Sequence, residues 1–273
     1  KLSHNYEDIT NDISSIDLEI TPDKVYYKSV RISGQNRIAI SVRVEGASII
    51  DAAVRKTQDV IVIIKKQDIT TTTTVVEEGE ECSFTDFITT TTTATENKWA
   101  SEYVFASAAA TSEDQIADID LGSSLEWSSE TLYYNKQSTE FGKICSRSYN
   151  DSFATETEAA DFKDTVDYNG YKNNISFMDA GTKTAFGNKI RIYDNLMLVS
   201  APLADPYISR KSLTRFEAAS PRGAVYVFTQ SNGNWSYVST LYKGGYTDTN
   251  VSTQFECGYE AGLFGYDFDY NSD

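Results

Sequence analysis

The sequence predicts an all-β protein, and three observations carry the prediction. Tyr (18) and Phe (13) are abundant and Thr is plentiful, residue types that favour strands, while Pro numbers only 4. Stretches with a two-residue hydrophobic period recur along the chain. Long stretches with a helical period are scarce. The expected arrangement is an N-terminal antiparallel, β-sandwich-like module followed by a β-meander.

Taken in order, residues 1–23 are polar and read as an arm that ends at Pro22, with Ile13, Ile16, Leu18 and Ile20 as anchors. Residues 24–140 read as a β-rich anchoring or assembly module. It opens with a hairpin, 25–33 and 37–45, around Gly34-Gln35-Asn36; in its second strand Ile38, Ile40, Val42 and Val44 alternate with mostly polar residues, the signature of one buried and one wet face. Residues 47–57 fit one short helix. Val60–Ile64 is β-branched at every position, which predicts a strand buried on both faces. Two threonine runs, Thr70–Thr74 and Thr89–Thr93, flank Glu77-Glu78-Gly79-Glu80-Glu81 and predict two exposed strands joined by an acidic turn; a row of threonines on an open edge also suits pairing with a neighbouring subunit. Further strands are expected over 103–110, 116–121 and 125–134. Residues 141–183 read as a connector.

The composition excludes several function classes. Lys and Arg number 24 against 40 Asp and Glu, a net charge of −16. Such an acidic surface repels nucleic acid and anionic membranes. His4 is the only histidine, which excludes Ser-His-Asp and Cys-His catalysis within the folded body, and His-ligated metal. Cys82, Cys145 and Cys257 are far apart and odd in number, which writes no disulfide framework; three free, mostly buried thiols are the expectation, and one disulfide plus an odd thiol is the alternative. No apolar run approaches the length of a membrane span. The chain opens without Met, and the expectation is that its natural start has been removed.

Residues 184–241 carry the most information. Lys189–Tyr193, the turn Asp194-Asn195, Leu196–Val199, Ala224–Phe228, the turn around Asn232-Gly233 and Trp235–Leu241 predict a four-stranded antiparallel meander. Phe186-Gly187, then Leu196-Met197-Leu198-Val199-Ser200-Ala201-Pro202, then Gly223-Ala224-Val225-Tyr226-Val227-Phe228, then Gly233-Asn234-Trp235 resembles an FG-GAP repeat, the propeller repeat of integrin α subunits and many microbial surface proteins. Ser200 stands where that pattern has glycine. Phe264-Gly265 resembles the opening of a second repeat, so 184–273 holds one blade and the start of the next. Phe141-Gly142 lacks a following apolar run and is not counted. Because a blade buries its faces against neighbours, the resemblance implies that these residues belong to a longer polypeptide.

Candidate sites follow. Asp267, Asp269, Asn271 and Asp273 alternate as oxygen ligands do in a calcium loop, and some FG-GAP repeats hold Ca²⁺ between their first two strands; the alternative is a solvated strand face. No other cofactor is implied. The loop 201–222 carries Tyr207, Arg210, Lys211, Arg215, Phe216 and Arg222, a basic and aromatic set on an acidic protein; the resemblance places such loops on the ligand-facing side, and a decorated surface loop is the alternative. Asn150, Asn174, Asn234 and Asn250 sit in Asn-x-Ser sequons. Acidic pairs such as Glu156 and Glu158 are the nearest approach to glycosidase carboxylates. The functional expectation is a non-enzymatic structural or attachment protein, extracellular or on a virion surface. A tail or head fibre-like appendage comes first, and an integrin-like adhesin is the alternative. A surface hydrolase would need its catalytic part elsewhere. The partners expected are other subunits of a larger, homo-oligomeric assembly and a cell-surface protein or glycan, with no membrane insertion.

Overall fold

A computed structural model describes residues 18–34, 36–77, 88–111, 120–137, 142–166, 168, 184–204, 223–241 and 264–269, with the side chains of 68–77 and 88–97 outside the description. Within these residues lie twelve strands in three four-stranded antiparallel meanders, each built from consecutive strands. Sheet A holds β1 (Ile20–Ile32), β2 (Arg37–Ser48), β3 (Arg55–Glu77) and β4 (Ile88–Ala106). Sheet B holds β5 (Leu121–Ser128), β6 (Thr131–Gln137), β7 (Gly142–Ser148) and β8 (Thr157–Asp161). Sheet C holds β9 (Ile190–Tyr193), β10 (Leu196–Ala201), β11 (Ala224–Ser231) and β12 (Asn234–Leu241). No helix among the described residues is long and apolar enough to cross a membrane.

Strand alternation builds the layers. Val60, Val62 and Ile64 of β3 join Ile38, Ile40, Val42 and Val44 on one face of sheet A. Ile61 and Ile63 point the other way and pack on Leu125, Trp127, Leu132, Tyr134 and Cys145 of sheet B. All five residues of 60–64 are fully buried, as the unbroken β-branched run predicts. In sheet B the next residues along, Tyr133 and Ile144, face sheet C and meet Met197, Val199, Tyr226 and Phe228. The sheets are thus stacked A on B on C. First strands line up at one edge, β1 beside β5 and β5 beside β9, and the fourth strands β8 and β12 meet at another.

The meander of 190–241 is as expected, with turns at Asp194 (φ 50°) and Asn232-Gly233 (φ 51° and 81°). Four expectations need correction. Residues 47–57 form no helix: β2 runs to Ser48, β3 starts at Arg55, and the chain turns between them where Ser48 N–H donates to Val54 O (2.8 Å) and Ala53 N–H to Asp51 Oδ1 (3.0 Å). An Asp that caps its own turn outcompetes a weak helical period. Residues 125–134 are two strands, because Ser129 (φ 53°) turns the chain. The arm expected to Pro22 gives way to strand at Ile20; Pro22 is tolerated because β1 is an edge strand beside Gly46, whose missing side chain leaves room for Thr21 O. Finally, the connector of 141–183 contains β7 and β8, so sheet B runs across the boundary expected near residue 140.

Candidate functional site

The same device joins each sheet to the next. Leu121-Gly122 opens β5, Phe186-Gly187 lies just before β9, and Phe264-Gly265 begins the segment 264–269; the glycines share a left-handed backbone with φ +72°, +92° and +79°. Each glycine lies against the sheet before it. A methyl at Gly122 would sit 2.6 Å from Ser41 Oγ and 2.9 Å from Ile61 Cδ1; at Gly187, 2.6 Å from Asn135 Cβ; at Gly265, 2.7 Å from Val225 Cγ2. Two further glycines complete the fit, since the Phe186 carbonyl occupies the side-chain position of Gly142 and the Phe264 carbonyl that of Gly223. Gly142 therefore belongs to the junction between sheets B and C rather than to an opening of its own. Phe186 is the pivot, with its ring 5.6 Å from Phe162, 5.7 Å from Tyr226 and 6.2 Å from Phe228 in edge-to-face contacts.

Polar groups lock the junctions. Ser124 Oγ, two residues after Gly122, accepts from Ile190 N–H (2.9 Å), and Ser200 Oγ accepts from Lys189 N–H (2.8 Å). Four residues after each glycine stand Glu126, Arg191 and Asp269, and they form one ladder with Arg31 of β1. Arg31 donates two bonds to Glu126 (3.0 and 2.8 Å), Arg191 Nη1 donates to Glu126 Oε2 (3.1 Å), and Arg191 Nε to Asp269 Oδ1 (2.9 Å). Charge alternates along the first-strand edge, so every rung is opposed. A recess of about 580 Å³ lined by Val30, Ile32, Gly34 and Trp127 opens beside the Arg31–Glu126 pair.

A second cluster pins sheet A to sheet B. The fully buried Asp59 accepts from Arg43 (2.7 and 3.0 Å), from Leu121 N–H (3.0 Å) and from Lys28 Nζ (2.6 Å). Lys28 Nζ also donates to Asp120 (2.5 Å) and to Leu121 O (3.0 Å), so its ammonium is ringed by three oxygens. Burial pushes the Asp120 carboxyl up, but Lys28 with the bonds from Ser123 and Asn135 holds it below 3.8.

Of the four calcium candidates, Asp267 and Asp269 are described, and cations at the start of sheet C meet both. Lys189 Nζ lies 2.5 Å from Asp267 and its hydrogen bond holds that carboxyl below 3.8; Arg191 bonds Asp269. Asn271 and Asp273 lie outside the described residues. So do Tyr207, Arg210, Lys211, Arg215, Phe216 and Arg222, but the base of their loop is fixed: Gly223 N–H donates to Ala204 O (2.9 Å) and Leu203 N–H to Thr184 O (3.1 Å). The loop leaves and returns at one point, beside the Phe186 and Phe264 junctions. Among the described residues no group of three or more His, Cys, Asp or Glu side chains is arranged to hold a metal. Glu156 accepts from Tyr134 (2.8 Å) and Lys136 (2.6 Å), and Glu158 from Lys143 (2.8 Å). Burial raises the Glu156 carboxyl, yet Lys136 and Tyr134 keep it below 4.5; the Lys143 bond lowers Glu158. Neither carries the raised pKa of a glycosidase general acid.

Comparison of the chain with protein-family models, with curated proteins and with solved structures finds no match. The repeated junction and the charge ladder do not emerge from motif and periodicity alone. Aligning Gly122, Gly187 and Gly265 exposes both, through the alternating Glu126, Arg191 and Asp269.

Proposed function

We propose that this chain is a non-enzymatic attachment protein whose stacked meanders are successive blades of an FG-GAP-like propeller. One observation carries the reading: three consecutive four-stranded meanders stack first strand beside first strand through a repeated glycine junction, and Phe264–Asp269 seats on sheet C as Phe186–Arg191 seats on sheet B. Radial blades with their first strands innermost build a rigid body, and its loops are free to vary for recognition. In this reading the 205–222 loop, pinned at its base and rich in Arg, Lys and aromatic residues, contacts a cell-surface protein or glycan. The sheet A region anchors the chain to a larger assembly, such as a virion tail or head fibre-like appendage. The ion pairs of Asp267 and Asp269 with Lys189 and Arg191 favour a junction role for these acids over a calcium loop.

Antibodies raised against folded 184–241 test the reading on intact particles or cells that carry the natural polypeptide. Decoration before lysis is expected. Labelling that appears only after lysis would overturn it.

A further inference from the structure

We infer that Lys28 and Asp120 condense to an amide that joins the first strand of sheet A covalently to the opening of sheet B. The inference goes beyond the attachment reading and does not depend on it.

The sheet aims the lysine. The register of β1 on β2 pairs Tyr27 with Val42 and Ser29 with Ser41 and skips Lys28, which is therefore the extra residue of a bulge. Bulges re-aim a side chain at a cost in pairing, and they gather next to active sites. Here the side chain reaches past β2 to Asp59 of β3. Lys28 Nζ lies 2.6 Å from Asp59 Oδ2, 2.5 Å from Asp120 Oδ1 and 3.0 Å from Leu121 O, so each of its three protons has an acceptor. The side chain of Lys28 is 12% exposed and that of Asp59 is fully buried.

The two carboxylates differ. Asp59 sits in the fork of Arg43, which donates to Oδ1 (2.7 Å) and Oδ2 (3.0 Å) and keeps it ionised. Asp120 takes its other hydrogen bonds from neutral groups, Ser123 Oγ on Oδ1 (2.5 Å) and Asn135 Nδ2 on Oδ2 (2.7 Å), while Arg43 Nη2 stands 4.0 Å off. Asn135 Oδ1 accepts from Ser124 N–H (2.9 Å), which turns the amide NH₂ toward Asp120. Asp120 is thus the carboxyl that can accept a proton and be attacked, and Asp59 is the proton relay.

The ion pair is the resting state. Burial disfavours charge, so a proton shift from Nζ to Asp120 Oδ1 sets a neutral amine beside a neutral acid. Nζ is no more than about 3.8 Å from the carboxyl carbon, close to the ~3–3.5 Å of atoms poised to react. Attack forms the Nζ–Cγ bond, and Asn135 N–H meets the charge that develops on Oδ2. Nζ gives its second proton to Asp59 Oδ2, which passes it to the departing Oδ1 hydroxyl; the Cγ–Oδ1 bond breaks and one water leaves. An ammonium and a carboxylate have become an amide and water, with no change of oxidation state. Asp120, 30% exposed, gives the water a way out. The amide N–H keeps Asp59 as its acceptor and Asp59 keeps Arg43, so the cluster is neutral before and after. Until the amide forms, the acid sensitivity of the ion pair is that of the unjoined chain.

Electrospray mass spectrometry of the full chain, denatured after incubation at neutral pH, tests this. The expected mass lies one water below that of the sequence, and a tryptic digest should give one branched ion joining the peptides of Lys28 and Asp120. Chain kept in urea should hold the full mass and lose the water on refolding. Lys28→Arg and Asp120→Ala should each keep the full mass of their own sequence, and Asp59→Asn should slow joining roughly a hundredfold; near-UV circular dichroism shows whether each variant is folded. Wild-type chain at full mass, a water lost at another site, or a link from Lys28 to Asp59 would overturn the inference, and the wild-type result decides even where a variant fails to fold. Surface labelling of particles is independent of these outcomes, so failure of one reading leaves the other standing.

Discussion

Replacing Gly187 by Ala tests the junction between sheets B and C. Gly187 has φ +92°, and holding an L-residue in the left-handed region costs about 1–2 kcal/mol. The new methyl would also lie 2.6 Å from Asn135 Cβ and 3.1 Å from Ile144 Cδ1, inside a packed core. Forcing an extra carbon into such a space costs about 1–3 kcal/mol. The expected loss is therefore about 2–5 kcal/mol, or roughly 4–20 °C in Tm at ~2–4 °C per kcal/mol for a protein of this size. Gly233 supplies the control. It has nearly the same backbone, φ +81°, with nothing within 4 Å of the position a methyl would take, so Gly233→Ala loses only the backbone part, about 1–2 kcal/mol. Urea titration of wild type and both variants measures the difference. Equal losses at the two sites would refute the close approach of the junction to sheet B.

Other outcomes follow from the buried groups. Lys28→Met leaves Asp59 and Asp120 without their shared ammonium and is expected to cost about 3–5 kcal/mol in urea unfolding at neutral pH. Because the folded pKa of Asp120 is depressed, its contribution is fully present above the unfolded value near 3.8 and is lost as pH falls through the lower folded value; a pH series in which wild-type stability rises on acidification through that window would contradict the pairing. Burial, reinforced by Glu156, pushes the Cys145 thiol up to about 12, so iodoacetamide at mildly alkaline pH should leave its peptide unmodified until denaturant is added, as read by mass spectrometry. EDTA should leave Tm unchanged, because Lys189 and Arg191 already balance Asp267 and Asp269; a clear fall would restore the calcium loop.

Sheet C is legible in the sequence because its punctuation is local. Asp194, Asn232 and Gly233 supply left-handed turn residues, and the strands between them are short apolar runs. The doubly buried Val60–Ile64 is legible for the same reason. Sheet B is harder to read. Its β7, Gly142–Ser148, mixes Lys143 and Arg147 with Ile144 and Cys145, and a strand whose two faces meet different sheets shows no plain alternation. The helix expected over 47–57 fails because Asp51 caps a turn that only tertiary pairing of β2 with β3 makes visible. The ladder of Arg31, Glu126, Arg191 and Asp269 joins residues up to 95 apart in sequence, and nothing in a local window connects them.

The central claim is that successive meanders stack first strand beside first strand, and a double-mutant cycle between Glu126 on β5 and Arg191 on β9 addresses it most directly. The pair is largely buried, with side-chain exposures of 7% and 15%. Unfolding free energies of wild type, Glu126→Gln, Arg191→Met and the double variant should give a coupling of about 1–3 kcal/mol. Additive losses, with no coupling between the two positions, would contradict the stacking of sheet C on sheet B.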